Sequence, residues 1–321
     1  MSKSVLKVGV VGTGVLGSHH ARVFAGLGDV NLASVFDLDP EKARRVGAPL
    51  GTPSAASFQE FLESVDAAVV AVPTAVHAEV ASKLIQAGRH VLIEKPITST
   101  LQDAERLVAL AEQSGVVLQV GHVERFNPAA EALKRIGAPR FVEVHRLSPF
   151  PNRSLDIDVI LDLMIHDLDL LVALDKSELV QIDAVGVPVL TDRVDIANVR
   201  IRFASGLIAN LTASRVSVEK IRKFRVFGSR LYVSCDFLTR QAQVAKLVAG
   251  AGGAPEIRME TIGAGVGDPE GEPLRRQARA FVTAIETGSA PVVSGSDGLA
   301  VLRTAKEILE RMSDMGPNTL A

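Results

Sequence analysis

The chain has 321 residues, of which 47% are hydrophobic and 22% charged, with a formal net charge of −2. That length allows two domains with sizeable cores, and the even charge balance gives no basic excess for nucleic acid as a main partner. One cysteine, Cys235, excludes an intrachain disulfide framework and a cysteine-rich zinc site, and suits a reducing compartment.

The first residues run into a glycine motif without the apolar stretch of a signal peptide, and no apolar run reaches the ~18 residues of a membrane span. A cytoplasmic protein with no membrane partner is expected. Residues 5–11 read as an apolar strand, followed by Gly12-Thr13-Gly14-Val15-Leu16-Gly17 and an amphipathic helical run over 18–27. In a G-x-G-x-x-G turn between strand and helix, the first glycine allows the tight turn. The second lets a pyrophosphate approach the backbone, and the third lets helix and strand pack closely. The pyrophosphate would sit on the free N–H groups of the helix N-terminus. The second strand, 30–36, ends in Asp37, twenty residues after Gly17. A carboxylate there accepts the ribose hydroxyls of NAD and repels the 2′-phosphate of NADP, so NAD is expected ahead of NADP. The alternative for Asp37 is a solvated turn aspartate before Asp39-Pro40.

The alternation continues with a short helix from Ser57-Phe58, a buried strand at 67–72 ending in Pro73-Thr74, and a helix over 76–87 stopped by Gly88. His77 is either a helix-start or packing histidine or a cofactor contact. Residues 90–93 form a short buried strand that breaks off in Glu94-Lys95-Pro96, at the carboxyl edge where open α/β sheets bind ligands. Proline closes that strand and restricts Lys95, which is either a surface lysine or one placed to meet a ligand. A helix from Thr100 to Gln113 and a strand at 116–120, leaving through Gly121-His122, complete the series. Repeated strand–helix units imply α/β architecture, a Rossmann-type doubly wound parallel sheet over residues 1–122. The exits at Gly12–Gly17, Pro73–His77 and Glu94–Pro96 can converge on one crevice.

After His122 the pattern changes. Val123-Glu124-Arg125-Phe126-Asn127-Pro128 is a polar loop into a helix at 129–136, and 140–146 alternates with period two, as a half-buried strand does. Residues 148–156 form a proline-rich loop carrying Asn152 and Arg153. Apolar residues recur at helical spacing over 159–174, with Asp162 and His166 four apart on one face. Residues 180–244 read as antiparallel strands with hairpin loops at 204–206 and 228–230. Residues 250–271 read as a mobile loop or irregular strand pair, and 274–287 and 296–312 as helices. A second, α+β domain with an open, mainly antiparallel sheet is expected over 123–321. Helices would cover one face of that sheet and a partner subunit the other, giving a homodimer or homotetramer, and the last helices would pack back on the first domain.

Asp162 and His166 are polar residues on an otherwise apolar helix, and are either a surface pair or a site. The glycine motif, Pro73-Thr74-Ala75-Val76-His77, Glu94-Lys95-Pro96, Leu161-Asp162-Leu163-Met164-Ile165-His166-Asp167 and the closing Gly288-Ser289-Ala290-Pro291 together resemble the Gfo/Idh/MocA family of NAD(P)-dependent sugar and polyol oxidoreductases, over nearly the whole chain. The resemblance implies Lys95, Asp162 and His166 as the catalytic group, and a C-terminal domain that commonly builds oligomers. The chain departs from the family in having Asp158-Val159-Ile160-Leu161 where many members carry a glycine pair. A narrower likeness, in Val120-Gly121-His122-Val123-Glu124-Arg125-Phe126-Asn127-Pro128 and the run through Asp169, is to the branch that oxidises the 3-hydroxyl of UDP-N-acetylglucosamine on the way to 3-amino lipid A sugars.

Oxidising a secondary alcohol leaves redox to the cofactor and asks the protein for orientation and one acid–base group. An ordinary histidine pKa of ~6.5 suits that task, which makes His166 the proton acceptor. Lys95 would hydrogen-bond the reacting oxygen as a cation, and Asp162 would orient either of them or a substrate hydroxyl. The reverse assignment of Lys95 and His166 stays open. For a sugar nucleotide, Arg125 and Arg153 are candidates for the diphosphate, against a reading as surface arginines. His122, Glu124 and Asn127 are candidates for the sugar pocket. The competing readings are an inositol- or glucose-type polyol dehydrogenase and a non-catalytic NAD-binding regulator. A third is metal-assisted hydrolysis through Asp162, His166 and His122 or His145. No H-E-x-x-H or cysteine cluster supports that last reading, so no metal is expected.

Overall fold

Five short apolar runs become the parallel strands β1 (Leu6–Val11), β2 (Val30–Phe36), β3 (Ala67–Val70), β4 (His90–Ile93) and β5 (Leu118–Val120), in the order β2-β1-β3-β4-β5. β3 is buried at every residue, as a strand covered on both faces must be. The helices between them are α1 (Val15–Ala25), α2 (Pro40–Gly47), α3 (Phe58–Ser64), α4 (His77–Gln86) and α5 (Leu101–Ser114). α2 was not expected: Asp39 caps the N–H groups of Glu41 and Lys42, and Pro40 takes the first helical position. The winding reverses between β1 and β3, so the loops leaving those strands flank the switch point at which such sheets take ligands.

The computed structural model describes residues 5–150, 157–250 and 254–313. Its second sheet has eight strands: β6 (Pro139–Leu147), β7 (Leu179–Val187), β8 (Ile196–Phe203), β9 (Ile208–Ser214), β10 (Ile221–Gly228), β11 (Leu231–Asp236), β12 (Gln241–Ala249) and β13 (Pro255–Gly263). Their order is β13-β12-β11-β10-β6-β9-β8-β7, antiparallel except where β6 runs parallel to β9. The stretch read as a mobile loop or irregular pair holds a regular strand, since β13 pairs with β12 from Pro255 to Gly263. Nearly all of its side chains are exposed, so it has no buried face to mark it in the sequence. One face is covered by Pro128–Arg135, which is a 3₁₀ helix where an ordinary helix was expected, and by a π-helical turn, Ile160–Met164, running into α6 (Ile165–Leu174). Val142, Val144, Leu168, Leu171, Val199, Ile201 and Phe224 belong to the core between them.

Two helices close the chain, α7 (Pro273–Thr287) and α8 (Gly295–Ser313). Contacts divide the chain into two units, Met1–Val123 with Leu274–Ala300 and Glu124–Pro273 with Val301–Ala321. In the first, Ala278, Phe281 and Val282 of α7 join the core of Val8, Val10, Phe24, Val35 and Val69. In the second, Val301, Ala305 and Ile308 of α8 join the core beneath the eight-stranded sheet. No helix among the described residues is long and apolar enough to cross a membrane.

Candidate active site

The three glycines after β1 do different work. Gly12 has φ +85°, and a Cβ there would meet the Ala71 carbonyl oxygen at 2.5 Å. A Cβ on Gly17 would lie 1.8 Å from the Gly12 carbonyl oxygen, so helix and loop approach as only glycine permits. At Gly14 nothing lies within 4 Å, and the space before the N-terminus of α1 is open. A cleft of about 720 Å³ surrounds this loop, lined among others by Gly12, Gly14, Val15, Leu16, Asp37, Leu38, Pro73 and Val76. That volume falls within the roughly 300–1,000 Å³ of small-molecule sites. Leu38 is 93% exposed and Val15 68%, aliphatic side chains left in water on the wall of a cleft, which suits a flat ring such as adenine. Open space over Gly14 and free N–H groups at the start of α1 fit a dinucleotide pyrophosphate.

Asp37 is knitted to the glycine loop. Its Oδ2 accepts from the Thr13 N–H (2.7 Å) and hydroxyl (3.0 Å), and its Oδ1 from the Asp39 N–H (3.0 Å). Burial works against its charge, but these hydrogen bonds outweigh it and hold the carboxyl below the usual range. Thr13 therefore fixes Asp37 and is itself buried.

Beneath the strand exits lies a set of braces. His77 is 1% exposed and absent from the cleft wall, its Nδ1 lying 2.9 Å from the Pro96 carbonyl oxygen and its Nε2 2.9 Å from that of Val72. Burial pushes its pKa down, against the pull of the two carbonyls. The ring ties the end of β3 to the end of β4. Glu94 is likewise buried, accepting from His20 Nε2 on α1 at 2.7 Å and from the Lys95 N–H at 3.3 Å. Burial opposes its charge, yet the His20 hydrogen bond and the Lys95 cation keep its pKa lowered. A Cβ on Gly121 would come within 3.0 Å of that carboxyl, so β5 exits through the residue that leaves Glu94 room. Lys95 is half-buried at the exit of β4, and its bond to Pro96 is cis. Pro73 lines the cleft, while Thr74 opens a 3₁₀ turn beside it and His122 is buried.

His20 was singled out by no motif. It had a signal, however: Gly17, His20, Ala21 and Phe24 make the buried stripe of α1, and a histidine on such a stripe needs a partner.

In the second unit, Asp162 lies on the π-helical turn and His166 is the second residue of α6, both half-buried. π-turns occur disproportionately at functional sites, where one extra residue re-aims the side chains. Among the remaining substrate candidates, the described side chains of the Glu124–Asn127 segment make hydrogen bonds within the protein. Arg125 spends its Nε–Nη2 edge on the buried Asp169, at 2.9 and 2.7 Å. Glu124 accepts from Arg146 Nη1 at 3.1 Å and from Asn127 Nδ2 at 3.1 Å, and all three are buried. These side chains hold one another. Arg153 lies outside the described residues. Among the described residues no group of three or more His, Cys, Asp or Glu side chains is arranged to hold a metal ion.

Comparison with known proteins agrees with this geometry. Residues 6–122 match the family model described as "Oxidoreductase family, NAD-binding Rossmann fold", and residues 130–234 that of the "GFO/IDH/MocA C-terminal domain". The chain is 39% identical over 306 residues to the UDP-N-acetylglucosamine 3-dehydrogenase of Acidithiobacillus ferrooxidans, covering 94% of this chain and 96% of that protein. A solved structure of that enzyme superposes with a TM-score of 0.88, 38% identity, and coverage of 96% of this chain and 98% of the other. The myo-inositol 2-dehydrogenase of Thermotoga maritima is 27% identical over 330 residues, 95% of this chain and 96% of its own.

Proposed function

We propose that this chain, which belongs to the Gfo/Idh/MocA family of oxidoreductases, oxidises the 3-hydroxyl of UDP-N-acetylglucosamine to the 3-keto sugar nucleotide with NAD. The observation that carries the substrate is the 39% identity, across 94% of this chain, with a protein named for that reaction. NAD ahead of NADP is supported by Asp37, whose depressed pKa keeps a negative charge on the rim of the cleft against a 2′-phosphate. When bound, NAD supplies the hydride acceptor. The chain's own residues do the rest. His166 takes the hydroxyl proton, Lys95 hydrogen-bonds the oxygen and favours its alkoxide-like form, and Asp162 orients the reacting groups. Glu94, held by His20, places a negative charge next to Lys95.

Two further assignments accompany this one. The sheet face away from the core carries the half-buried ring cluster of Phe141, Phe227 and Tyr232 with the Arg225–Glu143 pair, a surface suited to a second copy of the chain. Cys235 is buried and free, and a chain with one cysteine, unable to form an internal disulfide, suits a cytoplasmic location. NAD reduction by the purified protein, compared between UDP-N-acetylglucosamine, free N-acetylglucosamine and myo-inositol, tests the substrate. Turnover concentrated on the sugar nucleotide is expected, and preference for the free polyols overturns the assignment. Light scattering tests the oligomer.

A further inference from the structure

Asp167 and Asp169 follow His166 in α6, buried in a helix that is otherwise apolar. Two residues along an α-helix are about 200° apart, so these carboxylates leave α6 on nearly opposite sides. Each meets an arginine with two prongs. Arg146 of β6 donates from Nε and Nη2 to Asp167 at 2.7 and 2.9 Å, and Arg125 donates to Asp169 at 2.9 and 2.7 Å. The two arginines are themselves connected, because Glu124, next to Arg125 in the chain, accepts from Arg146 Nη1 at 3.1 Å. Asn127 closes the loop, donating to Glu124 Oε2 and to the Phe237 carbonyl oxygen, each at 3.1 Å. Apolar contacts alone would let α6 turn or slide by fractions of an ångström, whereas planar bidentate pairs on two sides fix both rotation and depth.

We propose that Arg125 with Asp169 and Arg146 with Asp167 are positioning residues that set the rotation of α6, and through it the placement of His166 and of Asp162 on the turn before it. This rests on the reading of His166 as the proton acceptor. It gives the Glu124–Asn127 segment a role in orienting the catalytic helix in place of contact with the sugar or its diphosphate.

The test compares the full chain carrying Arg125→Met, Asp169→Leu and both together, with Arg125→Lys as a variant that keeps charge and loses the fork. Each single change is expected to lower kcat on UDP-N-acetylglucosamine by about ten- to hundred-fold with KM within about twofold. The double variant, with no buried charge left unpaired, is expected to melt close to wild type while kcat stays low. If the double variant recovers kcat along with its stability, the pair is structural only and the proposal fails. It also fails if Arg125→Met raises KM at unchanged kcat while Asp169→Leu does neither, because Arg125 then binds substrate. Where a Met or Leu variant does not fold, Arg125→Lys carries the same comparison. The ¹⁵N signals of His166, assigned by their loss in His166→Gln, give a readout without substrate. They should move in Arg125→Lys and in the double variant. A wild type inert on the sugar nucleotide removes the function reading alone, whereas unmoved His166 signals overturn the positioning role.

Discussion

Gly14→Ala and Gly17→Ala add the same atoms to one motif, at the N-cap and in the first turn of α1, yet the structure sends them in opposite directions. A Cβ at Gly17 would sit 1.8 Å from the Gly12 carbonyl oxygen, a backbone atom that no side-chain rotation can move aside. Relief needs more than about 1 Å of movement of helix against loop, and overpacking of that kind costs on the order of 3 kcal/mol. At about 2–4 °C per kcal/mol for a domain of this size, Gly17→Ala should lower the melting temperature by roughly 6–12 °C. At Gly14 the backbone is extended (φ −68°, ψ −162°) and nothing lies within 4 Å of the new methyl. Losing glycine at a helix N-cap costs several tenths of a kcal/mol, and the reduced freedom of the unfolded chain returns about as much. Its melting temperature should stay within about 2 °C of wild type. The methyl would instead stand in the open space assigned to the pyrophosphate, weakening NAD by about ten- to hundred-fold, or roughly 1.4–2.8 kcal/mol. Calorimetric titration with NAD alongside thermal unfolding separates the two effects. Equal destabilisation by both changes, or undiminished NAD affinity in Gly14→Ala, would refute the division of labour among these glycines.

Lys95→Ala should lower kcat/KM by about 10²–10⁴-fold with NAD affinity unchanged, read by initial rates and titration. Asp37→Ser should cut the ratio of NAD to NADP efficiency by about tenfold or more, since it removes the charge that opposes a 2′-phosphate. His20→Ala takes the donor from the buried Glu94 carboxylate and should cost about 1.5–3 kcal/mol in urea unfolding. Asp195 accepts from three backbone N–H groups, at Val189, Leu190 and Thr191, and from Arg215. Burial opposes its charge, but these donors hold its pKa far below the usual range. A depressed native pKa contributes stability that is complete above the unfolded value of about 3.9 and is lost as pH falls towards the native one. Asp195→Asn should therefore destabilise the protein by about 3–5 kcal/mol at neutral pH, and its deficit against wild type should shrink as pH drops below about 4.

The sequence showed what is local. A glycine turn after an apolar strand, an aspartate twenty residues on and a proline after Lys95 are each set by neighbours in the chain, and the parallel sheet follows from their spacing. α2 was missed although Asp39 and Pro40 are strong start signals, because its Arg- and Lys-rich surface has little apolar stripe to mark it. β13 was concealed because nearly every one of its side chains is exposed, leaving no buried face to give period two. The pairing of the Glu124–Asn127 segment was not legible for a different reason. Its polarity is visible in the sequence, but its partners lie 44 residues away at Asp169 and 22 away at Arg146, and pairing over such distances leaves no periodic trace. His77 could be a brace or a contact on its sequence alone, which gives no sign that carbonyl oxygens flank both nitrogens of its ring.

The most direct test of the proposed chemistry is the structure of the product. Purified protein incubated with UDP-N-acetylglucosamine and NAD, with 2-oxoglutarate present to reoxidise any retained NADH, should yield a sugar nucleotide lacking two hydrogens, with its new carbonyl carbon at position 3 by NMR. Substrate recovered unchanged, or a carbonyl at another position, would contradict the assignment.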